Sequence, residues 1–400
     1  MFEKAVIPRG ADRDIDIGLI AETILFYGKT QLLLNRGVLD ALTKIPYDDL
    51  LELSSRGSLN LSYVKPTFAV LSTGLVRAHS FVAFEHGPKE RKRTSTFQEE
   101  ISDAFLKAYA DSRLTRKAIT KFIDRVELFR HPGFSSKENL VCELTGGDVI
   151  DPYFVKEAAA AILRSVAPAY RSPVNFRFEV IDTGNGYVVS SDLDFQAISK
   201  LCLPPFTNDF TSAHVLGFIQ DARADTFFAA HYMAELVTTS VSSEIIRLKH
   251  YDWLRRGDAS RKEINLFTEI ICNKLPSIRE AIMSGNRSIV DYIKLLDRAE
   301  KFKKWIQVTN PDQGLINAYI REATSGSWAD KISTKAIRIA VLQAIGLGIE
   351  AIMPIGMATT ASAAVSAGDT FLLDRIAKGW RPAHFINGPY KKFVDLNTVK

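Results

Sequence analysis

Apolar positions along the first third of the chain switch between two periods. Ile17, Ile20, Ile24 and Tyr27 recur every three to four residues and stop at Gly28, which predicts a helix over 16–28. The short apolar run in "TQLLL" (30–34) predicts a buried strand. "GVLDALTKI" and "YDDLLELSSRG" predict two short helices parted by Pro46, the second ending at Gly57. Leu59, Leu61 and Tyr63 then alternate at period two, and "TFAVLS" and "SFVAFE" predict further strands.

From 87 to 96 the pattern gives way to "GPKERKRTST", a polar, basic stretch that predicts a linker. Two amphipathic helices are expected over "FQEEISDAFLKAYA" and "RLTRKAITKFIDRVELF". A second α/β stretch follows, with "NLVCELTG", a helix over "DPYFVKEAAAAILRSVA" and a β-hairpin at 174–191. In that hairpin "VNFRFEVID" and "YVVSSD" flank "TGNG", whose Gly184, Asn185 and Gly186 supply the positive φ angles of a tight turn. Beyond 203–210 the spacing of apolar residues is almost wholly helical. The expected fold is therefore an α+β or α/β N-terminal half with a mixed sheet, followed by an all-α helical C-terminal half. The expected domains are 1–90, 91–202 and 203–400.

The C-terminal half contains 339–373, "IAVLQAIGLGIEAIMPIGMATTASAAVSAGDTFLL", in which Glu350 and Asp369 are the only charges. Pro354 and Gly356 would bend it into two arms. Three readings compete: a helix pair at the centre of a bundle, an assembly face, or a hairpin that enters a membrane on demand. Gly346, Gly348, Ala364, Val365 and Gly368 are the small or compact residues on which helix–helix approach would depend in each reading. The two acids weigh against permanent spanning, at roughly 2.5–3.5 kcal/mol each near a bilayer centre.

Composition adds a location. The chain has 400 residues, is 46% hydrophobic and carries a formal net charge of +5, values of a globular protein of more than one domain. The charge concentrates toward the C-terminus, so an anionic membrane surface is an expected partner. The start has no apolar leader, and Cys142, Cys202 and Cys272 lie far apart without a CxxC pair, which fits a reducing cytoplasm.

Candidate chemistry is sparse. His214, Asp221, Asp225, His231 and Glu235 are expected on one helix, with the first three on a shared face. Imidazoles and carboxylates together suit acid–base work or a metal, although neither HExxH nor a di-iron spacing is present. "RVELFRH" places Arg125 six positions before His131, a spacing similar to that of some helical ribonuclease domains, but Val126 stands where a polar residue usually follows the arginine. His79 and Glu85 share a strand face. Lys301, Lys303 and Lys304 interleave with Phe302 and Trp305, the mixture of a phosphate-tracking surface. No dinucleotide fingerprint, phosphate loop or GxSxG elbow occurs, so no cofactor is named.

The function expected from these features is a cytosolic effector-like protein of toxin or phage-defence type. Its apolar hairpin would serve conditional membrane association or self-assembly into a homo-oligomer, triggered by a protein partner or other signal. The alternatives are a soluble hydrolase or nuclease with its site on the 212–252 helices and, below that, a nucleic-acid-binding module.

Overall fold

The computed structural model describes residues 2–8, 16–64, 66–73, 78–85, 96–109, 116–131, 133, 139–203, 210–271, 276–308 and 382–395. The segment 339–373, and with it Gly346, Gly348, Pro354, Gly356, Ala364, Val365 and Gly368, lies outside the described residues, as do the basic run 89–93 and Cys272. The chain mixes helices with two sheets and divides into two compact units: Lys4–Asp16 with Lys29–Gly257, and Met1–Glu3 with Ile17–Gly28 and Asp258–Lys400.

The first unit is built on a five-stranded, all-parallel sheet. Its strands are β1 (Lys4–Ile7), β2 (Lys29–Leu34), β3 (Leu59–Tyr63), β6 (Val126–Leu128) and β9 (Glu235–Leu236), in the order β6-β3-β2-β1-β9. A parallel sheet is covered on both faces, which is why β2 reads as an unbroken apolar run and is buried from Thr30 to Leu34. Helices α2 (Arg36–Leu42) and α3 (Tyr47–Ser54) join β2 to β3. Asn35 starts α2 by accepting from the Val38 amide at 3.0 Å, and Pro46 precedes the first turn of α3. Helix α4 (Phe97–Ala108) opens with a capping box between Thr96 and Glu99 and leads to α5 (Arg116–Ile123).

One expectation fails here, and one stretch left without an element is settled. The stretch expected to stay helical to 129 ends at Ile123 and becomes edge strand β6, so Arg125 and His131 do not share a helix. "NLVCELTG" forms α6 (Leu140–Val149), started by Asn139 accepting from the Val141 and Cys142 amides. Short apolar runs carry too few periods to separate helix from strand, and caps and pairing partners decide.

Helix α7 (Pro152–Val166) has Asp151 as its cap and Pro152 in its first turn. With α6 and α9 (Ser212–Tyr232) it forms one continuous core, in which Val155, Ile162, Val215 and Ile219 meet Val6, Leu33 and Leu236 of the sheet. The second sheet is antiparallel: β4 (Pro66–Thr73), β5 (Ala78–Glu85), β8 (Tyr187–Ser191) and β7 (Phe178–Asp182), in that spatial order. The β7–β8 turn holds Gly184 at φ +76° and Gly186 at φ +144°. Helix α8 (Phe195–Leu201) follows, capped by Asp194. Helix α10 (Ser240–Ile271) starts after β9 and breaks helical geometry once, at His250 (φ −131°, ψ 41°).

The second unit is helical among its described residues: α1 (Ile17–Phe26), the end of α10, α11 (Ile278–Met283), α12 (Ile289–Val308), α13 (Pro382–Phe385), a π-helical turn (Ile386–Tyr390) and α14 (Lys391–Val394). Gly18 lets α1 approach α11 closely, since a Cβ there would stand 2.8 Å from the Arg279 carbonyl oxygen. Tyr292 donates to the Ala21 carbonyl at 2.6 Å. Phe302 is fully buried, stacked on Phe385 with centroids 4.6 Å apart. The described residues at 382–395 thus rest on α12, with Phe393 also meeting Tyr292.

Candidate functional site: two histidines over the parallel sheet

Alternation along the strands puts Lys4 and Val6, Gln31 and Leu33, Ser62, and Glu127 on one sheet face. The last turn of α9 lies over it, where Met233 takes a left-handed conformation (φ 46°, ψ 50°) and turns the chain into β9. That turn brings His231 to His131, a hundred residues away in sequence, with ring centroids 5.5 Å apart and planes near perpendicular. Phe129 lies 4.9 Å from the His231 ring and Phe227 lies 4.9 Å from the His131 ring. Tyr232 stands edge-on to His231 at 4.8 Å, and the Lys4 ammonium sits over the Tyr232 ring at 5.2 Å. Beneath them runs a polar row: Gln31 Nε2 donates to Ser62 Oγ at 2.9 Å, and Ser62 bonds the Tyr232 hydroxyl.

Three groups of this cluster, His231, Lys4 and Tyr232, are biased. Partial desolvation on the side that faces the aromatic rings lowers the pKa of His231 below its ordinary 6.5, and the neighbouring His131 and Lys4 lower it further. Burial lowers Lys4, with Lys29 on the adjoining strand adding to it. Burial raises Tyr232, opposed by its bond to Ser62 and reinforced by Glu127. His231 is exposed and His131 half-buried, so a solvent-borne molecule reaches both. A neutral imidazole beside a second imidazole and a lysine is a set that can take one proton, give another and hold a negative oxygen.

The other expected residues go elsewhere. His214 accepts from the Thr211 amide at 3.1 Å and stacks on Phe210, so it finishes the start of α9. Asp225, 1% exposed, accepts a hydrogen bond from the Thr238 hydroxyl. Eleven residues, about 16 Å of helix, separate His214 from Asp225. Asp221 is half-exposed on α9. Glu235, expected one turn beyond His231 on the same helix, lies on strand β9 opposite Ala5. Arg125 is held by the Leu51 carbonyl and Ser54 Oγ. His79 is buried between Ser72 Oγ at 2.9 Å and Ser212 Oγ at 3.1 Å. In the helical unit Lys303 bonds the Ile24 carbonyl and Lys304 pairs with Glu300 at 2.9 Å, while Lys301 shares α12 with them. Phe302 and Trp305 are core residues, which leaves them no face for a base.

Among the described residues no group of three or more His, Cys, Asp or Glu side chains is placed to hold a metal ion, and no helix is long and apolar enough to cross a membrane. Compared with known proteins, the chain matches no family model, no curated protein and no solved structure. Lys4, Tyr232, Ser62 and Gln31 carry no sequence signal of their own; His231 and His131 were visible singly, in separate motifs.

Proposed function

We propose that the sheet-containing unit is a hydrolase acting by acid–base chemistry on a phosphodiester of a nucleic acid, with His131 and His231 as its catalytic pair. The observation that carries this reading is their 5.5 Å approach beside Lys4 and Tyr232. His231, biased toward the neutral form, takes a proton from the attacking water, whose oxygen bonds to phosphorus as the bond from phosphorus to the leaving oxygen breaks. His131 serves as the acid that gives a proton to the leaving oxygen, and Lys4 holds the charge that builds on the phosphoryl oxygens. Phe227 offers a half-exposed ring for a neighbouring base. The test incubates single-stranded RNA and DNA oligonucleotides with the full chain in EDTA. His131→Ala and His231→Ala are each expected to slow cleavage by about a hundredfold or more. Cleavage of neither substrate, or variants as fast as the parent, sinks the reading.

The composition of 339–373 favours a second reading, in which this segment serves conditional membrane association or self-assembly of an effector. Dye release from anionic liposomes, lost in Ala364→Arg while the variant stays monodisperse and folded, is the expected result. Intact liposomes and a monomeric parent protein count against it.

A further inference from the structure

The helical unit holds a cleft of about 270 Å³ between α12 and the C-terminal turns, lined by the cations Arg287, Lys294, Arg298 and Lys392 against one acid, Asp291. Two of these five are already engaged. Arg287 Nη2 donates to the carbonyls of Lys392 at 3.0 Å and Asp395 at 2.9 Å, and its Nε donates to that of Phe393. It thereby caps α14 and fixes one wall. Asp291 accepts from Ser288 Oγ at 2.7 Å and from the Ser288 amide at 3.2 Å, closing the first turn of α12.

Lys294, which also faces the Asp291 charge, Arg298 and Lys392 are all exposed at the mouth of the cleft. Lys294 and Arg298 stand one turn apart on α12, where like charges repel. Lys392 brings a third positive charge to the same cleft from a segment distant in sequence. Buried Leu295 and Phe393 form an apolar floor. Among the residues that line the cleft, four cations meet the single carboxylate of Asp291, whose pKa is lowered first by its bond to Ser288 and further by Lys294 and Arg287, so positive charge stays in excess on one concave space.

We propose that this cleft binds a phosphate group, with the Arg298 guanidinium and the Lys294 and Lys392 ammonium groups on its oxygens. An arginine fork and two point charges match a tetrahedral dianion or a diphosphate. The shared chemistry is the phosphate; its source is either a free phosphate chain or a nucleotide whose remaining part rests on Leu295 and Phe393. This site stands independently of the histidine pair.

Calorimetric titration of the full chain at about 50 mM salt, where screening is weak, separates the sources. The probes are inorganic pyrophosphate and adenosine diphosphate. At least one is expected to bind with a Kd below about 1 mM, and Lys294→Glu/Arg298→Glu is expected to weaken it by about tenfold or more. Tighter binding of the nucleotide assigns the source to a nucleotide; equal or weaker binding assigns it to the phosphate chain alone. Lys117→Glu/Lys121→Glu on α5 makes the same change of net charge away from the cleft and should leave binding intact. If the cleft double variant does not fold, Lys392→Glu alone, on an exposed side chain, carries the same comparison. Failure of both probes to bind, or binding that survives the cleft variants or falls equally in the α5 variant, overturns the proposal.

Discussion

Asp148→Asn is the substitution on which the architecture of the sheet-containing unit can be tested most sharply. Asp148 is 4% exposed and lies in the last turn of α6, where the helix dipole disfavours a carboxylate. Its position depends on two cations: Arg223 Nε donates to Oδ2 at 2.7 Å and Lys249 Nζ stands 2.9 Å from Oδ1. Lys249 also packs over the Phe154 ring at 5.2 Å, so α6, α7, α9 and α10 meet at this carboxylate. Each charge-assisted bond contributes about 1.5–3 kcal/mol. Asparagine keeps one acceptor, and the cations, 15% and 33% exposed, recover part of their hydration. The expected net loss is about 2–4 kcal/mol. With a urea dependence of about 2–3 kcal/mol per molar, the unfolding midpoint falls by about 1–2 M. Urea denaturation followed by circular dichroism measures it, and Arg223→Met in the same background should cost much less than it does alone, because its partner is already gone. A midpoint shift below about 0.3 M would refute the reasoning and reduce the cluster to a solvated ion pair.

The lowered pKa of His231 predicts that the acid limb of any histidine-dependent rate breaks below pH 6.5, because the base stays neutral there. The linked stability has a definite sign: the unfolded chain binds more protons, so stability rises with pH toward 6.5 and falls as pH drops below it. His231→Asn should flatten part of that slope, with His250, also lowered by burial, keeping the rest; an unchanged slope would count against the assignment. Gly186→Ala should destabilise by about 1–3 kcal/mol, since φ is +144° and a Cβ would meet the His79 carbonyl oxygen at 2.9 Å. An unchanged melting temperature would show that the β5–β8 pairing yields freely.

Local signals marked several elements in advance. The β7–β8 turn announces itself because few residues other than glycine adopt the φ angles of Gly184 and Gly186. The buried run of β2 and the stripe of α1 were likewise readable from side-chain spacing. Strands β6 and β9 were not: three and two residues long, they hold less than one reliable period, and they become strands only because β3 and β1 offer hydrogen-bond partners. The misplacement of Glu235 follows directly, for the left-handed turn at Met233 interrupts an otherwise continuous helical pattern.

The candidate site divides in the same way. The residue types were determined by the sequence alone: His131 six positions after Arg125, His231 near the end of a helical stripe, and a segment at 339–373 with two charges in thirty-five positions. Their company was decided by the tertiary structure. A parallel sheet needs long crossovers between neighbouring strands, so residues that share a face come from β1, β3, β6 and the end of α9 at wide sequence separation. Periodicity reports what happens within a few turns of one element. The approach of His131 to His231, and of Lys4 to Tyr232, depends on strand order and on the angle at which α9 crosses the sheet, and neither is written in the spacing of any single segment.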